Sequence, residues 1–111
     1  TLIDSANQTL KGIFELWLFD TTVTQDTDNA VFTPTDGELA TLVGVIPFDV
    51  SYVGDATSGS GGNAIYSANL LNLPFVTGAS SRNLFGLMVV RNAYVPIAQE
   101  VFTVRLNIAQ D

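Results

Sequence analysis

Residues Lys11 to Phe19 read KGIFELWLF, and the fold turns on how this stretch is laid down. Extended, it forms two rows, Ile13, Glu15, Trp17 and Phe19 on one side and Phe14, Leu16 and Leu18 on the other, because strand side chains alternate faces. A helix of about eight residues is the alternative. Three aromatics, Phe14, Trp17 and Phe19, favour the strand. Both rows are largely apolar, so the reading is a central strand covered on both sides, with Trp17 buried beside Phe19 or Phe14.

Downstream lies FDTTVTQDTDNAVFTPTDGELATLVG, Phe19 to Gly44, with five of the eleven acidic residues: Asp20, Asp26, Asp28, Asp36 and Glu38. Thr21, Thr22, Asp26, Asp28, Asn29 and Pro34 are turn and loop formers, since short polar side chains bond nearby backbone. Thr35 with Glu38 three residues later matches a capping box. Leu39, Leu42 and Val43 then share one helical face, and Gly44 stands where a left-handed helix end is expected. A short helix is predicted at roughly 36–43.

Val45 to Val53, VIPFDVSYV, reads as a strand, placed at an edge or begun after Pro47 because proline has no N–H to donate. GDATSGSGGN, residues 54–63, carries four glycines and two serines, the composition of an exposed loop. A phosphate-cradling loop would need a following helix and usually a lysine; a strand pattern follows instead. Further strands are expected at Ile65–Leu71, Leu73–Thr77, Leu84–Asn92 and Val101–Ala109. In the last, Val101, Thr103, Arg105 and Asn107 alternate with Phe102, Val104, Leu106 and Ile108, the pattern of a half-exposed sheet. Residues 77–83 and 94–98 carry the Gly, Ser and Pro of connections. The prediction is one all-β domain over 1–111, a β-sandwich or jelly roll of about six to eight strands with one short helix. About the first ten residues are left open to serving as an arm.

Composition excludes several kinds of chemistry. The chain has 111 residues and neither cysteine nor histidine, so thiol catalysis, zinc–thiolate sites, disulfides and the usual near-neutral general base are ruled out. Lys11, Arg82, Arg91 and Arg105 face eleven acids, for a net charge of −7. Such a balance repels phosphate backbones and anionic lipid, so neither nucleic acid nor membrane is an expected partner. The chain opens on Thr1 with no signal-like segment, and its localisation is not read from a targeting signal.

Hydrophobic residues make up 47% and charged ones 14%, against about 25% charged in an average soluble chain. No apolar run reaches the roughly 18 residues of a membrane-spanning helix. Part of this surplus fills a core. The rest is assigned to burial between subunits, in preference to a merely well-filled monomer.

DTDN at 26–29 begins like a calcium loop, but Ala30 and Val31 stand where a ligand and a glycine are required. A weak site from Asp26, Asp28 and carbonyls is the alternative to a plain loop with a capped helix, and the plain loop is preferred. No acid pair is singled out for glycosidase-like work, and no nucleophile is set beside a base. No enzymatic activity is expected, and no catalytic, cofactor-binding or metal-ligating residue is assigned. The eleven aromatics would serve sugar binding if exposed as platforms, but most lie on strand faces where core packing is commoner.

FELWLFDTT, DNAVFTPTDGELATLVGVIPF, LFGLMVVRNAYVP and VRLNIAQD together resemble small virion structural proteins of tailed bacteriophages. The resemblance covers about Phe14 to Asp111, and its most specific part is D-N-A-x-F followed by T-D-x-E-L-A, Asp28 to Ala40. It implies a capsid decoration or cement protein, a β-sandwich or jelly roll sitting as a trimer on the phage head surface. The implied partners are the major capsid protein and further copies of the chain, in a role that resists internal DNA pressure. A head-fibre or tail component would share such a composition. The alternative is a secreted or surface β-sandwich that binds carbohydrate or calcium.

Overall fold

The computed structural model describes residues 1–27, 30–55, 61–68, 72–76 and 83–109. Among these described residues seven strands and one helical turn follow in the order β1 (Leu2–Asp4), β2 (Phe14–Phe19), α1 (Asp36–Leu39), β3 (Leu42–Phe48), β4 (Val50–Asp55), β5 (Asn63–Ser67), β6 (Phe85–Val90) and β7 (Phe102–Val104). They form two antiparallel sheets, ordered β4-β5-β1-β7 and β3-β2-β6. This is the all-β, sandwich-like arrangement expected from the alternation patterns. No helix among the described residues is long and apolar enough to cross a membrane.

β2 is the middle strand of its sheet, paired with β3 on one side and β6 on the other. Phe14, Leu16 and Leu18 turn inward and join Leu2, Phe48, Ala64, Tyr66 and Tyr94 in the core between the sheets. Phe14 is the hub of that core. Its ring lies 5.1 Å from Tyr66, 5.4 Å from Tyr94 and 5.2 Å from Phe102, mostly edge-on, as ring quadrupoles favour. Gly12 is required by the same ring: a Cβ there would fall 2.1 Å from a Phe14 ring carbon.

The outer face of β2 is covered differently from the expectation. Phe19 is fully buried but stands apart from the inter-sheet core. Trp17 is only half-buried. It meets neither Phe14 nor Phe19 as a ring partner; its ring contact is Phe32, 5.0 Å away, from the connection that follows β2. The Arg91 guanidinium lies 5.8 Å above it.

Five further expectations change in the structure. The helix is Asp36–Leu39 rather than 36–43, since β3 begins at Leu42 and pairs with Phe19. Gly44 is no helix end but a strand residue opposite Leu18, and a Cβ on it would fall 2.6 Å from a Leu73 methyl. The stretch 45–53 is two strands, β3 and β4, which belong to different sheets with Asp49 at the crossing. Pro47 does lie on an edge strand, where its missing N–H costs no ladder bond. The strand expected over 101–109 shrinks to Phe102–Val104, and Leu106 and Ile108 beyond it are exposed. Of 73–77, the described residues 73–76 form no strand.

The first residues, left open above to serving as an arm, supply β1. It lies between β5 and β7 with Leu2, Asp4 and Ala6 buried. Half of the glycine-rich loop, residues 56–60, lies outside the described residues; Gly54 and Asp55 end β4 and Asn63 begins β5.

Candidate functional site

The acidic stretch between β2 and β3 acts on its own backbone. Thr35 caps α1 by accepting from the Glu38 N–H at 3.2 Å, and the Glu38 carboxylate accepts the Thr35 N–H at 2.8 Å. This is the capping box read from T-x-x-E. Glu38 also accepts the Thr24 N–H at 2.9 Å, which ties the start of the connection to the helix. These backbone donors, Thr35 first and Thr24 second, hold the Glu38 carboxyl down at about 2. Asp26 accepts the Thr33 N–H at 3.1 Å across the same loop. Asp28, its companion in the calcium-loop reading, lies outside the described residues. No group of three acids among the described residues is placed to hold a metal ion.

On the outer face of the three-stranded sheet, Glu15 gathers three donors on one oxygen. The Trp17 indole N–H donates at 2.9 Å, and Arg91 contributes Nε at 2.9 Å and a second guanidinium nitrogen at 2.9 Å. The Arg91 hydrogen bond is the main reason the Glu15 carboxyl lies below its usual range. Trp17 and Phe32, half-buried, and the exposed Arg91 thus make a small aromatic and cationic patch. Of the eleven aromatics, Tyr52 is the exposed one, 58% accessible on the edge strand β4. A sugar platform of several exposed rings does not assemble from the others, which are buried or half-buried.

Residues of both sheets line an open groove of about 1600 Å³: Leu16 and Leu18 of β2, Phe85 of β6, Val104 of β7, and Leu106 and Ile108 after β7, with Leu73 and Phe75 from the 72–76 segment beside them. β6 and β7 are outer strands of their sheets. Each therefore pairs through one edge and offers N–H and C=O groups along the other. Leu106 is 41% exposed and Ile108 62%. The apolar row of VFTVRLNIA is therefore divided: Phe102 packs on the core, Val104 touches both core and groove, and Leu106 and Ile108 face the groove.

The closed end of the sandwich holds a polar cluster that the sequence reading passed over. Asp4, 1% exposed, accepts the Ala6 N–H at 2.8 Å on Oδ1. Its Oδ2 lies 3.0 Å from the Tyr94 hydroxyl, which also contacts Glu100 Oε1. Gln8 Nε2 donates to the same hydroxyl at 2.9 Å and to Glu100 Oε2 at 3.0 Å. Burial, with Glu100 close by, pushes the Asp4 carboxyl up to about 6. Burial and the two acidic neighbours raise the Tyr94 hydroxyl well above the tyrosine range. One signal pointed here: in LID, an inward Leu2 forces Asp4 inward too. Comparison with known protein families, curated proteins and solved structures finds no match to this chain.

Proposed function

We propose that this chain is a structural protein of a tailed-bacteriophage particle, a decoration or cement protein seated on the outer capsid shell. In this reading it binds the major capsid protein and further copies of itself, with threefold closure taken from the resemblance. The observation that supports it is the groove of about 1600 Å³ flanked by the outer edges of β6 and β7. Apolar side chains beside strand edges that have no pairing strand among the described residues are what a neighbouring subunit covers on assembly. Covering them links adjacent capsomers through the bound protein, and each such link adds to the free energy needed to pull the shell apart. The net charge of −7 keeps free copies from associating indiscriminately before they find the shell.

Co-expression with the major capsid protein of the same phage tests this reading directly. The chain should sediment with assembled shells and raise their resistance to heat. Leu106→Asp combined with Ile108→Asp should abolish co-sedimentation while leaving the melting temperature of the free protein unchanged, because both side chains are already solvent-accessible. A chain that stays in the supernatant would refute the proposal. So would an assembled structure in which each copy buries less than about 800 Å² in total, the scale of incidental contacts.

A further inference from the structure

The hydroxyl of Tyr94 has more acidic neighbours than it has hydrogens. A tyrosine hydroxyl carries one hydrogen and two lone pairs. Two carboxylate oxygens, Asp4 Oδ2 and Glu100 Oε1, lie within hydrogen-bond reach of it, and Gln8 Nε2 already donates to it. The hydroxyl can donate to only one carboxylate. The other contact is a hydrogen bond only if that carboxyl carries its own proton and donates back. The count then closes: two donors in, one hydrogen out.

The environment decides which acid holds the proton. Glu100 accepts two donors on its second oxygen, the Ile97 N–H at 2.7 Å and Gln8 Nε2 at 3.0 Å. Asp4 lies deeper, on β1 between two strands, with one backbone donor. We propose that Asp4, Tyr94 and Glu100 form a proton-loaded clasp that fastens the 94–100 segment to β1 and loosens when the shared proton is lost, making this end of the sandwich pH-responsive.

The surrounding elements contribute few other charges. Lys11, in the β1–β2 connection, is bonded to Asn7 Oδ1 and the Gln8 carbonyl. From β5 the Tyr66 hydroxyl is fully buried, with the Gly12 backbone beside it but no well-formed hydrogen bond. β2 and β7 present the rings of Phe14 and Phe102. Glu15 and Arg91 pair on the opposite face. Asp55, at the end of β4, takes the Asn7 amide on its carbonyl. No cation bonds directly to either carboxylate among the described residues, so a second negative charge would be met mainly by its like neighbour.

The segment being held turns through Gln99, whose φ of 67° is the left-handed region that side-chain-bearing residues seldom occupy. A cleft of about 150 Å³, lined by Ser5, Ala6, Ile97, Ala98, Gln99 and Glu100, gives water a way to the cluster. Beyond it, Val101 is anchored separately to β1's end through Ser5, at 2.9 Å and 2.7 Å. Loosening therefore stops at residue 101.

An acid with a raised folded-state pKa stabilises the fold fully below its unfolded value, 3.8 for Asp4, and loses that stabilisation as pH rises through about 6. The folding equilibrium should fall roughly 100-fold between about pH 4 and pH 7 from this group, as the two values differ by about two units. Asp4→Asn keeps an acceptor for Ala6 and supplies a permanent donor for Tyr94. It should remove this step, leaving the variant at least as stable as wild type at pH 7 and flatter below it. Glu100→Gln should shrink the step similarly. In the unaltered protein, amide exchange at Ala6, Ile97 and Glu100, whose N–H groups are bonded to Asp4, Glu100 and the Ile97 carbonyl, should accelerate between pH 5 and 7 beyond the intrinsic base-catalysed rise, while Leu16 and Val89 in the paired strands should not. The proposal is overturned if those three amides follow the intrinsic rate, or if folded Asp4→Asn keeps the wild-type slope. The exchange measurement decides the matter even if both variants fail to fold.

Discussion

Replacing Phe14 with alanine is the sharpest test of how this fold is held together. The ring is 2% exposed and touches three other aromatics, Tyr66, Tyr94 and Phe102, at centroid distances of 5.1 to 5.4 Å. These partners come from β5, the 91–101 segment and β7, so the ring joins the two sheets and cannot be replaced by collapse of a single element. Large-to-small changes of buried phenylalanine cost about 3–5 kcal/mol. Aromatic pairs add about 0.5–1.5 kcal/mol each beyond area, so a loss of about 4–5 kcal/mol is expected. Against a total stability on the order of 5–15 kcal/mol, that is a large fraction. Phe14→Leu retains much of the volume and should cost about 2 kcal/mol. Denaturant unfolding followed by Trp17 emission measures both, and an unchanged slope with denaturant shows that the transition itself is intact. A Phe14→Ala loss below about 1.5 kcal/mol would refute the idea that the sheets are joined through this ring.

Trp17→Ala should cost about 2 kcal/mol, well under the Phe14 value, because the indole is half-buried against Phe32; circular dichroism melts replace fluorescence for this variant, and a loss equal to that of Phe14→Ala would contradict the outer-face placement. Gly12→Ala should destabilise by about 1–3 kcal/mol, since the new methyl would overlap a ring that has no room to withdraw; a neutral thermal melt would show that the ring does move. Glu38, with its carboxyl held at about 2 against 4.5 unfolded, contributes stability above pH 4.5 that is lost as pH falls toward 2. Glu38→Gln should flatten the acid limb of a stability–pH profile in that window, and an unchanged limb would show that the Thr24 and Thr35 bonds do not matter to folding.

Local chemistry made the central strand and the helix cap legible in the sequence. KGIFELWLF alternates over enough residues for period two to stand out, and T-x-x-E brings donor and acceptor together within one turn. The helix end was misplaced because Leu42 and Val43 fit a helical face as well as a strand, and the choice was made by pairing with β2. Gly44 carries no mark in sequence to tell a helix end from a strand position under Leu73. β1 was invisible because three residues hold too little pattern; it exists only because β5 and β7 stand on either side. The same holds for the two features of most functional interest. Asp4 and Glu100 are 96 positions apart, and the hydroxyl that joins them belongs to a tyrosine which reads, in sequence, like any core aromatic. The one-sided row read over 101–109 holds only at Phe102–Val104, which packs on the core; Leu106 and Ile108 beyond it are exposed beside the groove, a division set by how the two sheets meet. Alternation along a chain fixes which side chains share a face; the distance to the next layer is set by packing among residues far apart in sequence, and no single strand encodes it.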